Sequence, residues 1–287
     1  MQKNMQKKRK SRGIVFRVVA YSVCILLAIL SIMPFWIMFV NATRDTYQIQ
    51  QDALSLIPST HLVENIKILE GKTFDAMKGL TNSMIISVSS TILTVYFSAL
   101  TAYALVAYNW KLRKPFFTFI LAVMMIPAQV SVIGFYQFMY KIGMTNNFMA
   151  LILPSLAAPA AVFFMRQFML ASLPLELVEA ARIDGSNEFF TFNKIVLPIM
   201  KPAMATQAIF TFVGSWNSLF LPLVLLTDSE KYTMPIMVSL LRGDIYRTEY
   251  GAVYLGLALT VLPLFIAYFV LSKYIRSEEH TSELQSR

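Results

Sequence analysis

The stretch VVAYSVCILLAILSIMPFWIMFV, Val18–Val40, contains no charged side chain. At 1.5 Å of helical rise per residue it is long enough to cross ~30 Å of hydrocarbon. The basic segment MQKNMQKKRKSRG precedes it. A cleavable leader starts in the same way, but its apolar centre is only about 7–15 residues long. The run therefore reads as a retained membrane span. Working outward, five more apolar segments have similar lengths: Leu80–Ala107, Pro115–Phe138, Phe148–Ala171, Ala203–Leu226 and Gly251–Ile275. Lipid offers no hydrogen-bond partners to a backbone, so these segments should be helices. Barrel strands would show strict alternation over ~10 residues, and no segment does. The expected fold class is all-α, a polytopic membrane protein with six transmembrane helices over residues 18–275.

Composition agrees. Of the 287 residues, 56% are hydrophobic and 14% charged, against about 25% charged in soluble domains. A disordered chain, a collagen-like fibre and an ordinary cytosolic enzyme are excluded. The net charge of +9 is read as topology and contact with anionic membrane lipid, not nucleic acid. One cysteine, Cys24, and two histidines, His61 and His280, give neither a disulfide framework nor a His/Cys metal site. The closing RSEEHTSELQSR, residues 276–287, resembles translated sequencing-adapter read-through. It is expected to be a non-native tail replacing the true C-terminus, and is set apart from fold reasoning.

Basic residues set the expected orientation. Lys3, Lys7, Lys8, Arg9, Lys10, Arg12 and Arg17 crowd the basic N-terminus, residues 1–17. Lys111, Arg113 and Lys114 follow the second span, and Arg166, Arg182, Lys194 and Lys201 lie around the loop after the fourth. Acidic residues outnumber basic ones in 41–79. The positive-inside rule then places both termini and the 172–202 loop in the cytoplasm.

That loop reads SLPLELVEAARIDGSNEFFTFNKIVLPIMKP. Ser172 suits a cap and Pro174 an early helical position. Leu175, Leu177, Val178, Ala181 and Ile183 supply apolar contacts, and Gly185 suits the left-handed position that ends a helix. Ser186 would cap a second helix, which Pro198 and Pro202 close before the fifth span. A short cytoplasmic helix–turn–helix is expected. By physics alone it could be an interfacial hairpin that merely connects two spans.

The segment EAARIDGSNEFFTFNKIVLP, residues 179–198, resembles the EAA loop of permease subunits of binding-protein-dependent ABC importers. Glu179-Ala180-Ala181, Asp184-Gly185 and Leu197-Pro198 keep that family's spacing, Phe192 and Ile195 fall at its apolar positions, and Ser186 replaces a frequent alanine. The stretches MMIPAQVSVIGFYQFMYKIGMTNNFMALILP and WNSLFLPLVLL are similar to the carbohydrate-uptake branch, specifically its maltose/lactose-permease-like second subunit. The resemblance implies a translocation subunit in a bacterial-type cytoplasmic membrane, working by alternating access, with Glu179, Ala180, Ala181, Asp184 and Gly185 coupling it to an ATPase. It further implies a second permease, an ABC ATPase dimer and an extracytoplasmic solute-binding protein as partners. ATP and Mg²⁺ would bind the ATPase, and no cofactor this chain. The triplet Gly71-Lys72-Thr73 matches only the end of a phosphate-binding loop, since Ile66 stands where its first glycine belongs.

Possible pathway-lining residues are Gln129, Ser215, Asn217 and Ser218, because polar groups at membrane depth face the bundle or a cavity. Helix–helix hydrogen bonding is the competing account. Pro127 should kink the third span, Arg166 should snorkel, and Asn82 and Ser83 could cap the second span. Two rival functions stay open: an importer of a non-sugar solute, and a scaffold or ion-coupled carrier. The six segments contain no acidic residue, which argues against ion coupling.

Overall fold

The computed structural model describes the backbone of residues 2–70, 74–241 and 248–285, with side chains from 16 to 270 within those ranges except that of Ala128. The triplet at 71–73, and the side chains of Lys3–Arg12 and of the 276–287 tail with His280, lie outside the described residues. Among the described residues the regular structure is helical. Five helices are long and apolar enough to cross a membrane, or six if one bent pair is a single span. Contacts divide the chain into two compact units: Met1–Lys72 with Leu241–Ala258, and Thr73–Leu240 with Leu259–Arg287.

In the first unit, helix α1 (Gln2–Asn41) carries the span Phe16–Asn41, whose apolar side chains are largely exposed, as a lipid-facing helix requires. Short helices α2 (Thr46–Gln51) and α3 (Leu62–Glu70) follow. Arg44 is buried and donates to Asn41 Oδ1 and to the carbonyls of Asp52 and Gln48. Asn65 Nδ2 donates to the Ala42 and Arg44 carbonyls at 2.9 Å each. A Cβ on Gly251 would lie 2.3 Å from the Arg44 carbonyl oxygen, so only glycine fits there.

The second unit is organised on helix α4 (Ala76–Ala107). One face of it buries Ser83, Ser87, Ser90, Thr94, Ser98 and Ala102 at spacings of three and four. Small side chains let helices approach closely where no hydrophobic drive exists between them. Lower on α4, Ala99, Tyr103 and Val106 form a core with Met165 and Met169, Phe192 and Val196, and Met200. The sulfur side chains come from α8 (Pro159–Ser172) and α11 (Leu197–Trp216). Thr94 Oγ1 also donates to the Ser155 carbonyl at 2.9 Å, just past the short helix α7 (Met149–Ile152).

Four sequence expectations change. The third segment is broken more sharply than a proline kink: α5 (Arg113–Met124) and α6 (Ala128–Lys141) meet at 102°. Pro127 is extended (ψ 124°) and starts α6, because a residue before proline is pushed out of the helical region and proline itself has no N–H. The fifth segment begins and ends earlier than 203–226. Helix α10 (Glu188–Thr191) runs through a π-helical turn (Phe192–Val196) into α11 without a stop. The wide turn takes up the absent N–H of Pro198, with Leu197 N donating to Phe192 O. Past Trp216 a separate α12 (Phe220–Leu225) carries the remaining apolar residues.

Asn82 and Ser83 are not caps. Asn82 Nδ2 donates to the Glu230 and Tyr232 carbonyls at 2.9 and 3.0 Å, and Met234 N donates to Ser83 Oγ at 2.9 Å. This holds the start of α13 (Met234–Leu241) against α4, where Met234 and Met237 cover Gly79. The cap of α4 is Asp75, which accepts from Lys78 N. Likewise Ser172 ends α8 with its hydroxyl on the Phe168 carbonyl, and Asn187, not Ser186, caps α10.

Candidate functional site

Residues 175–191 form a compact hairpin. Helix α9 (Leu175–Ile183) ends as the sequence requires: Gly185 has φ +80°. Ser186 N donates to Ala181 O at 2.9 Å and Gly185 N to Arg182 O at 3.1 Å. Those two bonds are the paired closure of a Schellman turn, which satisfies carbonyls the helix end would leave unpaired. Across the turn Asn187 Oδ1 accepts from Phe190 N at 2.8 Å, and the Ser186 and Thr191 hydroxyls meet at 2.9 Å. The backbone is thus fixed on both sides of Gly185.

A polar link ties this hairpin to α4. Arg182 Nε donates to Glu188 Oε1 at 2.6 Å, and the Tyr103 hydroxyl donates to Glu188 Oε2 at 2.7 Å. Arg182 also reaches the Ala107 carbonyl at the end of α4 and lies 5.0 Å from the Tyr108 ring centroid. The hydrogen bond to Glu188 raises the Arg182 pKa, so the guanidinium stays charged. Glu188 is a carboxylate in the first turn of the fifth span, and it sits at the helix end with its charge compensated.

The five residues read as coupling residues fall within this one hairpin. Glu179, Ala180, Asp184 and Gly185 are exposed, whereas Ala181 is buried beside Val178. The exposed apolar tip was not foreseen: Ile183 is 86% exposed and Phe189 70%, and Phe190 and Leu177 are exposed too. Of the five α9 residues expected to supply apolar contacts, Val178 and Ala181 are buried, whereas Leu175, Leu177 and Ile183 face outward. Tyr103 and Glu188 also escaped sequence reasoning, being 85 residues apart.

The four pathway residues are spread more widely. Gln129 is exposed in the first turn of α6. Ser215 is in the last turn of α11, Asn217 is its C-cap, and Ser218 lies in the link to α12. None of the four lines the cavity of about 540 Å³ near the α5–α6 break, whose wall includes Met124, Ile126, Val132, Phe135, Pro154 and Leu221. Between Ser215 and Asn217, Trp216 is buried and donates from Nε1 to the Thr260 carbonyl at 3.0 Å, a helix-to-helix bond within the second unit.

Comparison with known proteins decides the family. Residues 95–278 match the family model described as binding-protein-dependent transport system inner membrane component. The chain belongs to this family. The matched residues include the whole hairpin, so the resemblance carried by Glu179–Pro198 is borne out. Among similar proteins, the arabinooligosaccharides transport system permease protein AraQ of Halalkalibacterium halodurans is 34% identical over 250 residues, covering 86% of this chain and 89% of that one. The lactose transport system permease protein LacG of Rhizobium radiobacter is 32% identical, covering 89% and 92%. A crystal structure of a bacterial ABC transporter importing the acidic polysaccharide alginate shares the fold, with TM-score 0.77 over 91% of this chain and 96% of that one at 22% identity.

Proposed function

We propose that this chain is one permease subunit of an ATP-driven importer for an oligosaccharide, coupled to its ATPase through the α9–α10 hairpin. The observation that carries the coupling is the exposed Ile183 and Phe189 on a hairpin whose backbone is closed at Gly185 and tied to α4. Apolar tips on rigid supports are docking features, because large apolar side chains left in water gain by burial in a partner's cleft. In this reading Ile183 and Phe189 enter the ATPase. Glu179, Ala180 and Asp184 line the contact, and Gly185 sets its angle.

The oligosaccharide reading draws on AraQ and LacG, whose names place them in arabinooligosaccharide and lactose transport. A second permease, an ATPase dimer and an external solute-binding protein complete the machine, with ATP and Mg²⁺ on the ATPase. Basic residues at the hairpin end support a cytoplasmic position for it. ATP must favour one global state of the assembly over the other for the pathway to move.

The test is uptake in proteoliposomes holding the assembled importer and its binding protein. Labelled arabinooligosaccharide should enter only with ATP inside, and Gly185→Val should abolish entry while the permease pair stays assembled. Uptake without ATP, or full uptake by Gly185→Val, would overturn the coupling assignment. Competition by lactose or by an amino acid then separates sugar from non-sugar import.

A further inference from the structure

Near the hairpin end of the second unit, α5 packs on α8 through Phe117, Ile120 and Val162. The Phe117 ring stacks on Phe163 and carries the Arg166 guanidinium 4.0 Å from its centroid. One turn before Phe117 on the same helix stands Arg113, which donates to the Tyr108 carbonyl. Both arginines are half-buried, and Arg166 Nε is fully buried with no hydrogen-bond partner. Among the described ion pairs neither arginine has a carboxylate. Lys111 and Lys114 add exposed positive charge at the same helix start.

Snorkelling accounts for one arginine at a span end. It does not account for a guanidinium stacked on a ring one helical turn from a second arginine, with no carboxylate paired to either among the described ion pairs. Like charges repel, and a buried unpaired donor is costly. An anion at the outer guanidinium nitrogens offsets the local positive charge, and a phosphate matches a guanidinium fork best. Basic notches between membrane helices at the headgroup level take anionic lipid.

We infer that Arg113 and Arg166 form a binding site for a phosphate oxyanion at the α5–α8 notch, filled by the headgroup of an anionic phospholipid. Arg166 supplies the packed fork, held flat on Phe117, and Arg113 closes the site from the start of α5. This site is independent of whether the hairpin couples to an ATPase.

Native mass spectrometry of the full chain, released from mixed micelles, reads the site directly. Phosphatidylglycerol should be retained and phosphatidylcholine lost. Arg113→Gln and Arg166→Gln should each reduce retention about fivefold, the ratio set by roughly 1 kcal/mol for one net hydrogen bond lost. Lys111→Gln, with the same change of charge outside the notch, should retain lipid as before. If Arg166→Gln does not fold, Arg113→Gln and Arg166→Lys carry the test. Arg166→Lys keeps the charge but loses the fork, and should weaken retention. Inorganic phosphate that displaces bound phosphatidylglycerol would support a shared oxyanion site, whereas phosphate bound with no phosphatidylglycerol retained would overturn the headgroup assignment. Equal losses in all three glutamine variants, or phosphatidylcholine held as firmly as phosphatidylglycerol, would overturn it.

Discussion

The two ends of α4 are held by different chemistry. At its start, Asn82 and Ser83 bond the backbone of residues 230–234, and Gly79 lies under Met234 and Met237. That contact is closed: the partners are carbonyls, an amide and packed sulfur side chains. At its other end, Tyr103 reaches Glu188 through a hydroxyl, Arg182 completes the link, and the hairpin beyond leaves Ile183 and Phe189 in the open. One end is built to stay shut. The other holds the proposed docking element by a few side-chain bonds. The difference separates stability from activity, and substitutions should expose it.

Asn82→Ala should have the largest effect on stability. It leaves two carbonyls and a cavity between α4 and the 230–234 segment, at about 1–3 kcal/mol for each unsatisfied buried group. Thermal unfolding in detergent should show a clear drop in Tm. Uptake per folded molecule should stay close to wild type. A variant that keeps its Tm but loses uptake would erase the distinction between the ends.

Gly185→Val comes next. A Cβ at Gly185 meets nothing within 4 Å, so the penalty is conformational, from φ +80°. Left-handed backbone costs an L-residue about 1–2 kcal/mol, and more when it is β-branched. The Tm should fall less than in Asn82→Ala, while uptake should be lost. Gly185→Ala should fall between wild type and valine in both measures.

What could be read from residues alone follows the range of the interaction. Gly185 was legible because a turn is local, and so was the hairpin. Five of the six spans were legible as apolar runs, since hydropathy is a local sum, and the remaining run is a sharply bent pair. The ends of the spans were not legible. Apolar residues 219–226 continue the fifth run past the true helix end, and Pro198 disguises its start because a π-helical turn absorbs that proline. The Ser/Thr/Ala face of α4 was present in the sequence at three- and four-residue spacing, but a hydropathy average hides small polar residues inside an apolar run. Tyr103–Glu188 could not be read, because nothing in the chain announces a bond between residues 85 apart. Gln129, Ser215, Asn217 and Ser218 were chosen for polarity alone, and polarity does not state which face of a helix a residue occupies.

The polar link itself should give a smaller effect. Arg182 and Glu188 are about a third exposed, at 33% and 39%, so solvent screens the pair and its worth is about 0–1 kcal/mol. A double-mutant cycle of Tyr103→Phe with Glu188→Gln should return about 0.5–1 kcal/mol of coupling in unfolding. The same variants should lower the ATP cost-efficiency of transport, seen as ATP hydrolysed per solute imported, because the hairpin would move without carrying α4. A coupling of zero in both measurements would reduce the link to a surface contact.

The smallest change in stability belongs to the tip. Ile183→Ser and Phe189→Ser remove apolar surface that is already in water, so unfolding should shift by no more than about 0.5 kcal/mol. Assembly should respond in the opposite sense. Truncating an anchor that fills a pocket typically costs about 2 kcal/mol or more in binding, and co-purification of the ATPase should fall sharply. Ile183 is more exposed than Phe189 and stands two residues before Gly185, so its loss should weaken capture whatever the state of the Tyr103 link. Retention of the ATPase by the double variant Ile183→Ser with Phe189→Ser would remove the reason for reading the hairpin as a dock. The exposed tip would then be explained by burial in lipid, as for any interfacial helix.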